Sequence, residues 1–190
     1  QVPISGNYCH DQIDWNGVQF GYSTYSTGCA LITGNVLANN HQGIAAQGGA
    51  GVDIVGNVIK DSRYDGVELY DVDRFTVSGN LITGAADLSD MTNEGIHVEH
   101  GCSVGVISGN LVENCAGDGV YVESGAYLSI TGNTIRHVAK RYGAVTAVEI
   151  PEWRAGTGEA WLLAGQSGSG KTTVLHILAG LTTPTVGAVI

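Results

Sequence analysis

Six Gly-Asn pairs recur along the chain, and their spacing constrains the fold more than any other feature of the sequence. The pairs lie 28, 22, 23, 30 and 23 residues apart, which indicates a unit of 22–23 residues with two insertions. Repeats of this length are typical of solenoids, in which no unit buries its apolar face alone. The pairs are Gly6-Asn7, Gly34-Asn35, Gly56-Asn57, Gly79-Asn80, Gly109-Asn110 and Gly132-Asn133.

The residues around each pair alternate between apolar and polar, as in a strand with one buried face. A second short strand lies upstream, where a glycine precedes Val or Ile and then an alternating apolar residue, as in "DGVEL" and "EGIHV". The sequence therefore predicts two strand pieces per unit. The apolar positions around the pairs are Ile4, Ile32, Ile54, Val77, Ile107 and Ile130 before the glycine, and Cys9, Leu37, Ile59, Ile82, Val112 and Ile135 after it.

These short strands need to be stacked to form a stable fold. Stacking one coil on the next buries a continuous core and lets the backbones of neighbouring coils pair. Asparagine tolerates the left-handed conformation that a tight bend needs, and stacked asparagines can hydrogen-bond along a ladder. The sequence therefore predicts a mostly β chain in which residues 1–135 form a parallel β-helix of about six coils.

Residues 2–135 resemble the right-handed parallel β-helix family of carbohydrate-binding proteins and sugar hydrolases, through the Gly-Asn units described above. That family includes pectate-lyase-like folds and periplasmic proteins of copper-enzyme maturation. The resemblance implies a right-handed coil and a periplasmic or extracellular location. It leaves the activity open, because the NTD, DD and GHG signatures of polygalacturonases and the DPH motif of alginate epimerases are absent from the sequence.

Residues at equivalent positions of the "DGVEL" type of strand should stack into columns on the outer face, because neighbouring coils lie ~4.8 Å apart. Three such columns collect carboxylates, one histidine and two tyrosines. They consist of Asn16, Gln42, Asp65, Glu94 and Asp118 before the glycine; Gln19, Ala45, Glu68, His97 and Tyr121 two residues after it; and Gly21, Gln47, Tyr70, Glu99 and Glu123 four residues after it.

The columns predict a groove that binds or processes a polysaccharide, with the alternative of a solvated face on a structural scaffold. Paired carboxylates act as general acid and base or nucleophile in sugar hydrolysis, and a like-charge pair raises one pKa. Calcium is expected only if an acidic sugar needs a bridge to this acidic face. The predicted catalytic residues are Glu68, His97, Glu99, Asp118 and Glu123, and the predicted sugar-binding residues are Asp65, Tyr70, Glu94 and Tyr121.

A phosphate-binding loop lies near the end of the chain, where "GQSGSGKT" (165–172) matches G-x-x-x-x-G-K-[ST]. Its glycines let backbone N–H groups wrap an anion, Lys171 reaches the β- and γ-phosphates, and the Thr172 hydroxyl coordinates Mg²⁺. The apolar strand "EAWLLAG" precedes it and an apolar helix follows it. The predicted ATP-binding residues are Gly165, Ser167, Gly168, Ser169, Gly170, Lys171, Thr172 and Thr173, with Thr172 as the Mg²⁺ ligand.

From about Thr134 to Ile190 the chain resembles the start of an ABC transporter ATP-binding domain, through "SGSGKTT" and the "AGL", proline and glycine that follow. The resemblance implies that Tyr142, 29 residues before Lys171, stacks on adenine. The family's residues for hydrolysis would lie beyond Ile190. Residues 136–190 are thus expected to form a truncated, incomplete α/β segment without ATPase activity, which pairs with transporter membrane subunits only as part of a full ATPase.

The charge distribution separates the two parts. Residues 1–137 carry 15 acidic and 4 basic residues, a net charge of −11, whereas residues 138–190 carry 3 acidic and 4 basic residues, a net charge of +1. The acidic first part disfavours nucleic acid as a partner, and no apolar run reaches the ~18 residues of a membrane span. The β-helix suggests a location outside the cytoplasm, whereas the phosphate loop suggests one inside it. We therefore expect a fragment or a chimera, and the sequence does not decide its cellular location.

Overall fold

The computed structural model of the chain describes residues 1–21, 28–85, 93–123, 127–142 and 145–152, with side chains described up to residue 135. Every regular element in these ranges is a β-strand. In chain order the strands are β1 (Val2–Ser5), β2 (Tyr8–His10), β3 (Val18–Phe20), β4 (Cys29–Thr33), β5 (Val36–Ala38), β6 (Ile44–Gly49), β7 (Gly51–Val55), β8 (Val58–Lys60), β9 (Val67–Val72), β10 (Arg74–Ser78), β11 (Leu81–Thr83), β12 (Ile96–Val98), β13 (Val104–Ser108), β14 (Leu111–Glu113), β15 (Val120–Val122), β16 (Tyr127–Thr131), β17 (Thr134–Tyr142) and β18 (Val145–Glu152).

The strands form three sheets because each complete coil contributes one strand to each of them. The first sheet has the order β1-β4-β7-β10-β13-β16, the second β18-β17-β14-β11-β8-β5-β2, and the third β15-β12-β9-β6-β3. All pairs between coils are parallel, and only β17 and β18 pair antiparallel. The predicted parallel β-helix of six coils is confirmed.

Each coil has three strands rather than the two pieces that the sequence predicts. The Gly-Asn pair lies between two strands, such as β7 and β8, because the chain turns a corner there. The apolar residues on both sides of the corner still point to one core, so the alternating pattern runs through the bend and conceals it. Ile54 and Ile59, on the two sides of Gly56-Asn57, are both fully buried.

The core is built from columns of equivalent residues in successive coils. Ile32 pairs in register with Ile54, Ile54 with Val77, and Val77 with Ile107, and all four have no exposed surface. Stacking like residues in this way buries apolar surface on every coil. In the first sheet, Gly105 makes room for the ring of its register neighbour Phe75. A Cβ on Gly105 would lie 2.1 Å from that ring.

The glycine of each Gly-Asn pair makes the bend, with φ between +62° and +67° in all six pairs. The left-handed residue at this bend is therefore the glycine and not the asparagine, which the sequence suggested could tolerate that conformation. Glycine takes it at lower cost because it has no Cβ. Asparagine does adopt a left-handed φ at a different corner, after the second strand of a coil, where Asn39 has φ 51° and Asn114 has φ 56°.

The asparagines of the six pairs form a continuous hydrogen-bonded ladder through the structure, as predicted. Asn80 is typical. Its Nδ2 donates to Asn110 Oδ1 (2.9 Å) and to the Ile54 carbonyl (3.0 Å). Its Oδ1 accepts from both Nδ2 (3.0 Å) and the backbone N–H (2.9 Å) of Asn57. The four central asparagines, 35, 57, 80 and 110, are at most 1% exposed.

A second glycine column sets the approach of the chain to the third sheet. A Cβ on Gly66 would lie 2.4 Å from Ile82 Cγ2 and 2.6 Å from the Gly95 carbonyl oxygen. Real Cβ atoms do not approach so closely, so the tight corner requires glycine. The corner places Asp65 and the equivalent residues of other coils beside the outer face of the third sheet.

The strand after the last Gly-Asn pair belongs to the β-helix. Leu111, Val112 and Glu113 of β14 pair in register with residues 134–136 of β17. The same strand continues to Tyr142 and then pairs antiparallel with β18. It crosses the boundary at residue 135 that the sequence predicts, and the division of the chain at that point stays a prediction.

We expect Asn80→Ala to destabilise the β-helix strongly. The substitution leaves two donors on Asn57 and the Ile54 carbonyl without their partners inside the protein. Each buried unsatisfied group costs about 1–3 kcal/mol, so we expect a loss of about 3 kcal/mol or more in the free energy of unfolding, measured by urea denaturation.

Asn7→Ala provides the matched control. Asn7 occupies the exposed end of the same ladder, and among the described residues its side chain bonds only to Asn35 and Ser5. Its loss should cost about 1 kcal/mol or less. Equal unfolding midpoints for the two variants would contradict a stabilising role for the buried ladder.

Candidate metal-binding face

The outer face of the third sheet brings the predicted site residues of neighbouring coils together. Glu68 of β9 pairs in register with His97 of β12, and His97 pairs with Tyr121 of β15. The His97 and Tyr121 rings lie 5.2 Å apart. The central column of the sequence analysis therefore exists as a physical stack.

His97 is the centre of this face because three carboxylates surround one of its ring nitrogens. Nδ1 of His97 lies 3.2 Å from Asp65 Oδ2, 3.8 Å from Glu94 Oε2 and 3.6 Å from Glu99 Oε1. The Asp65 contact is a hydrogen bond across a coil boundary. Glu68, which the sequence places beside His97, is its register neighbour, but the hydrogen bond goes to Asp65.

The residues before each glycine are less exposed than the solvent-facing column that the sequence predicts. Counted over the whole residue, Asp65 is 6% exposed and Glu94 is 8% exposed, because the tight glycine corner presses them against the next coil. The Glu94 backbone N–H donates to Asp65 Oδ1 at 2.8 Å, which ties the two residues together. Ala45, expected on the outer face, is also fully buried although it lies outside the apolar core.

Burial raises the pKa of Glu94 to about 8, and a hydrogen bond shared with Asp65 and the charges of Asp65 and Asp118 add to the shift. The positive charge of His97 acts in the opposite direction. Two carboxyl groups that share a buried site cannot both ionise cheaply. Glu94 therefore holds a proton near neutral pH while Asp65 faces the imidazole.

Three further side chains on this face titrate away from their usual ranges. Burial lowers the pKa of His97, but its hydrogen bond to Asp65 and the carboxylates around it outweigh that effect and raise the pKa overall. Burial raises the pKa of Glu68, helped by the charges of Glu99 and Asp65. Burial alone raises the pKa of Asp118. The raised pKa values favour the protonated forms of these groups, and a bound cation could displace the protons.

A second group lies beside the first and includes a histidine that the sequence analysis missed. His100 Nδ1 lies 2.9 Å from Glu123 Oε2, and ligand atoms of Glu99, His100 and Glu123 all lie within 4.8 Å of one another. His100 follows the end of β12, where strand alternation no longer predicts direction. The clustering of two histidines and a glutamate in "HVEH" was the signal available in the sequence.

The predicted residues thus separate into distinct neighbourhoods. Asp65, Glu94 and His97 form a buried group, which we call the inner triad, and Glu99, His100 and Glu123 form a more exposed group, which we call the outer triad. Tyr70 lies beside the outer triad, with its ring 5.8 Å from the His100 ring. The predicted Glu99–Glu123 and Glu94–Asp118 proximities are supported by these contacts.

The inner triad has donors suited to a metal ion. The three ligand atoms, one imidazole nitrogen and two carboxylate oxygens, lie within 4.8 Å of one another. A divalent ion bonds such donors at roughly 2 Å, so small side-chain shifts would bring all three into contact with one ion. Imidazole and carboxylate donors suit Cu(II), Zn(II) and Ni(II), whereas thiolate and thioether donors select Cu(I).

Comparison with known proteins identifies the family. Residues 1–158 match the family model described as "Periplasmic copper-binding protein (NosD)", which covers most of the chain. The chain belongs to this NosD family. The parallel β-helix described above is consistent with that membership, and the match extends through β17 and β18.

The end of the NosD-family chain has a different similarity. Residues 149–190 match the ABC transporter family model. An uncharacterized ABC transporter ATP-binding protein of Sinorhizobium fredii is 44% identical over 63 residues, which is 33% of this chain and 17% of that protein. The sulfate/thiosulfate import ATP-binding protein of Rhodopseudomonas palustris is 46% identical over 55 residues, which is 29% of this chain and 16% of that protein.

The chain therefore spans less than a fifth of the length of these two relatives. No solved structure matches the chain. The predicted ATP-binding residues 165–173 lie outside the described residues, and Tyr142 is described only as the last residue of β17. Within the described ranges, no helix has the length and apolar character needed to cross a membrane.

We expect the metal-free chain to lose stability as the pH rises from about 5 to about 8.5. A carboxyl whose folded pKa is raised favours the folded state below that pKa, and its contribution is lost as the pH passes from the unfolded value of 4.5 toward 8 for Glu94. The raised pKa of His97 acts in the same direction. Each pKa unit corresponds to about 1.4 kcal/mol.

Glu94→Gln replaces the protonated carboxyl by a neutral group of the same shape. This variant should therefore show a flatter dependence of the thermal midpoint on pH, measured with a chelator present. Glu113→Gln is a control on the second sheet, where the glutamate lies away from this face. A Glu94→Gln profile as steep as that of the unmodified chain would show that other groups govern the dependence.

Proposed function

We propose that the β-helix binds a divalent metal ion, copper(II) first among them, at the inner triad of Asp65, Glu94 and His97. The observation that carries the proposal is that three carboxylates surround one nitrogen of the half-buried His97 ring, Asp65 from the neighbouring coil and Glu94 and Glu99 from its own coil. Membership of a family described as periplasmic and copper-binding supports the choice of metal and a periplasmic location.

The electrostatics of the face support the same proposal. Burying several carboxylates beside one histidine is costly unless a positive charge compensates them. Protonation supplies that charge in the metal-free chain, as the raised pKa of Glu94 indicates. A divalent ion would replace the proton on Glu94 and the proton on His97, so binding should strengthen as the pH rises.

The donor set distinguishes between the two oxidation states of copper. Cu(I) prefers thiolate and thioether ligands, whereas the inner triad offers nitrogen and oxygen. Burial raises the pKa of Cys115 to about 12 and also raises that of Cys102, so both remain as protonated thiols. The sequence has a single methionine. These features favour Cu(II) at this site.

A second candidate function is the binding or processing of a polysaccharide on the same face. The observation in its favour is the combination of a carboxyl that stays protonated near neutral pH, Glu94, with further carboxylates and an exposed aromatic ring. Tyr121 is 40% exposed and would offer its ring to a sugar beside His97. Glu94 would then serve as a general acid and Glu68 or Asp118 as its partner.

For the last part of the chain, from Tyr142 onward, we propose binding of ATP with Mg²⁺ through the phosphate loop. The similarity to import ATP-binding proteins supports this proposal, and so does the unbroken match of residues 165–172 to the phosphate-loop motif. Thr172 would hold Mg²⁺ and Tyr142 would stack on adenine. Transporter membrane subunits are the partners that this similarity suggests.

We expect the chain to bind one Cu²⁺ tightly, and His97→Gln to weaken this binding at least tenfold, because the imidazole is the only nitrogen donor of the inner triad. Losing an orienting partner alone typically costs about 10–100-fold in metal affinity. Calorimetry gives the affinity, and electron paramagnetic resonance reports nitrogen coupling to the copper.

His10→Gln is the matched control. His10 also pairs with an aspartate, through Nδ1–Asp11 Oδ2 at 2.8 Å, but this pair is exposed and lies on the second sheet. Equal Cu²⁺ affinity in the two variants would contradict the proposed site. The second candidate would be favoured by a different result: the metal-free chain binds no Cu²⁺ at His97 but binds an oligosaccharide, and Glu68→Gln loses the oligosaccharide binding.

For the phosphate loop we expect saturable binding of Mg-ATP that Lys171→Ala abolishes, because this lysine neutralises the β- and γ-phosphates. Calorimetric titration of the whole chain measures it. Lys140→Ala, which removes the other lysine near this end of the chain, should leave binding unchanged. Binding that survives Lys171→Ala would place the nucleotide elsewhere.

A further inference from the structure

The inner and outer triads form one continuous row of ligands across the face. The inner triad consists of Asp65, Glu94 and His97, and the outer triad of Glu99, His100 and Glu123. Glu99 belongs to the outer triad, but its Oε1 also lies 3.6 Å from Nδ1 of His97 in the inner triad. No other carboxylate of the described residues is in reach of both histidines in this way.

Exposure increases steadily along this row. The side chains of Asp65, Glu94 and His97 are 9%, 11% and 17% exposed, and Glu99 follows at 23%. Glu123 and His100 are 44% and 66% exposed. A hydrated ion arriving from solvent would therefore meet His100 and Glu123 first, and Glu99 lies between them and the inner triad.

The order of exposure has a consequence for how an ion exchanges its water. A buried site binds slowly when the ion must lose its hydration shell in one step, because desolvating an ion is costly. A row of donors allows the water ligands to be replaced one at a time. Glu99 can bond the ion with one oxygen while the ion still contacts His100 and Glu123. The ion then leaves these two residues as His97 binds it.

We propose that the outer triad is a loading site, which captures a divalent ion at the surface and passes it through Glu99 to the inner triad. This inference rests on the proposed metal binding at the inner triad. The acidic residues of the outer triad attract cations from solution, and His100 supplies the exposed nitrogen donor. The inner triad then retains the ion in a less hydrated environment.

A loading site on the path changes rates without changing the final affinity. Losing it raises the barrier for entering and for leaving by the same amount, since both directions cross it. His100→Gln should therefore slow Cu²⁺ loading of the inner triad about tenfold, which is about 1.4 kcal/mol in the barrier, and slow release by the same factor. The affinity and the copper spectrum of the inner triad should stay the same.

The experiment mixes the metal-free chain with Cu²⁺ alone and follows loading by freeze-quenched electron paramagnetic resonance, with release measured by adding a chelator. His10→Gln is the control, since this exposed histidine lies on another sheet. Glu123→Gln should reproduce the His100→Gln result, because its carboxylate is the closest partner of His100.

The possible results separate the two proposals. A loading rate unchanged by His100→Gln would overturn the loading role while leaving the inner site intact. A weaker affinity with an altered copper spectrum would also overturn it, because His100 would then be a ligand of the final site. Absence of Cu²⁺ binding at His97 in the unmodified chain would overturn the proposed function itself.

Discussion

The buried asparagine ladder is the interaction on which the rest of this structure depends. The side-chain oxygen of each central asparagine accepts hydrogen bonds from the backbone N–H and the side-chain amide of the asparagine in the preceding coil. These bonds hold the corners of neighbouring coils in a fixed relative position. Since buried polar groups are costly without partners, the ladder tolerates only one register between coils. That register then places Glu68, His97 and Tyr121 opposite one another on a different sheet.

The candidate site results from a compromise between the coil geometry and charge. The glycine corner needed for close packing also forces Asp65 and Glu94 out of water. Their mutual repulsion is relieved by a proton on one carboxyl and by the imidazole of His97. The same compression that makes these acids costly to ionise brings their oxygens within reach of a single cation. Stability and binding are therefore coupled at this face.

Much of the fold could be predicted from the sequence, because the repeat is enforced at each position by a simple physical demand. Apolar residues must point inward at every second position, and the Gly-Asn pair must bend the chain. The number of strands per coil was harder to predict, since the corner keeps the alternation intact. The sequence did not decide which residue of the Gly-Asn pair adopts the left-handed conformation, because both glycine and asparagine tolerate a left-handed φ.

The sequence by itself determined the β-helix, the stacking of its columns, and the presence of a phosphate-loop motif at residues 165–172. The structure alone decided which of the stacked polar residues meet. His97 bonds Asp65 rather than its register neighbour Glu68, and His100 joins Glu99 and Glu123 beyond the end of a strand. Strand periodicity fixes which face a residue occupies, but side-chain direction at corners and the burial of individual carboxyls depend on packing between coils. The repeat therefore determines which residues lie on the face of the site, and the tertiary contacts determine which of them interact.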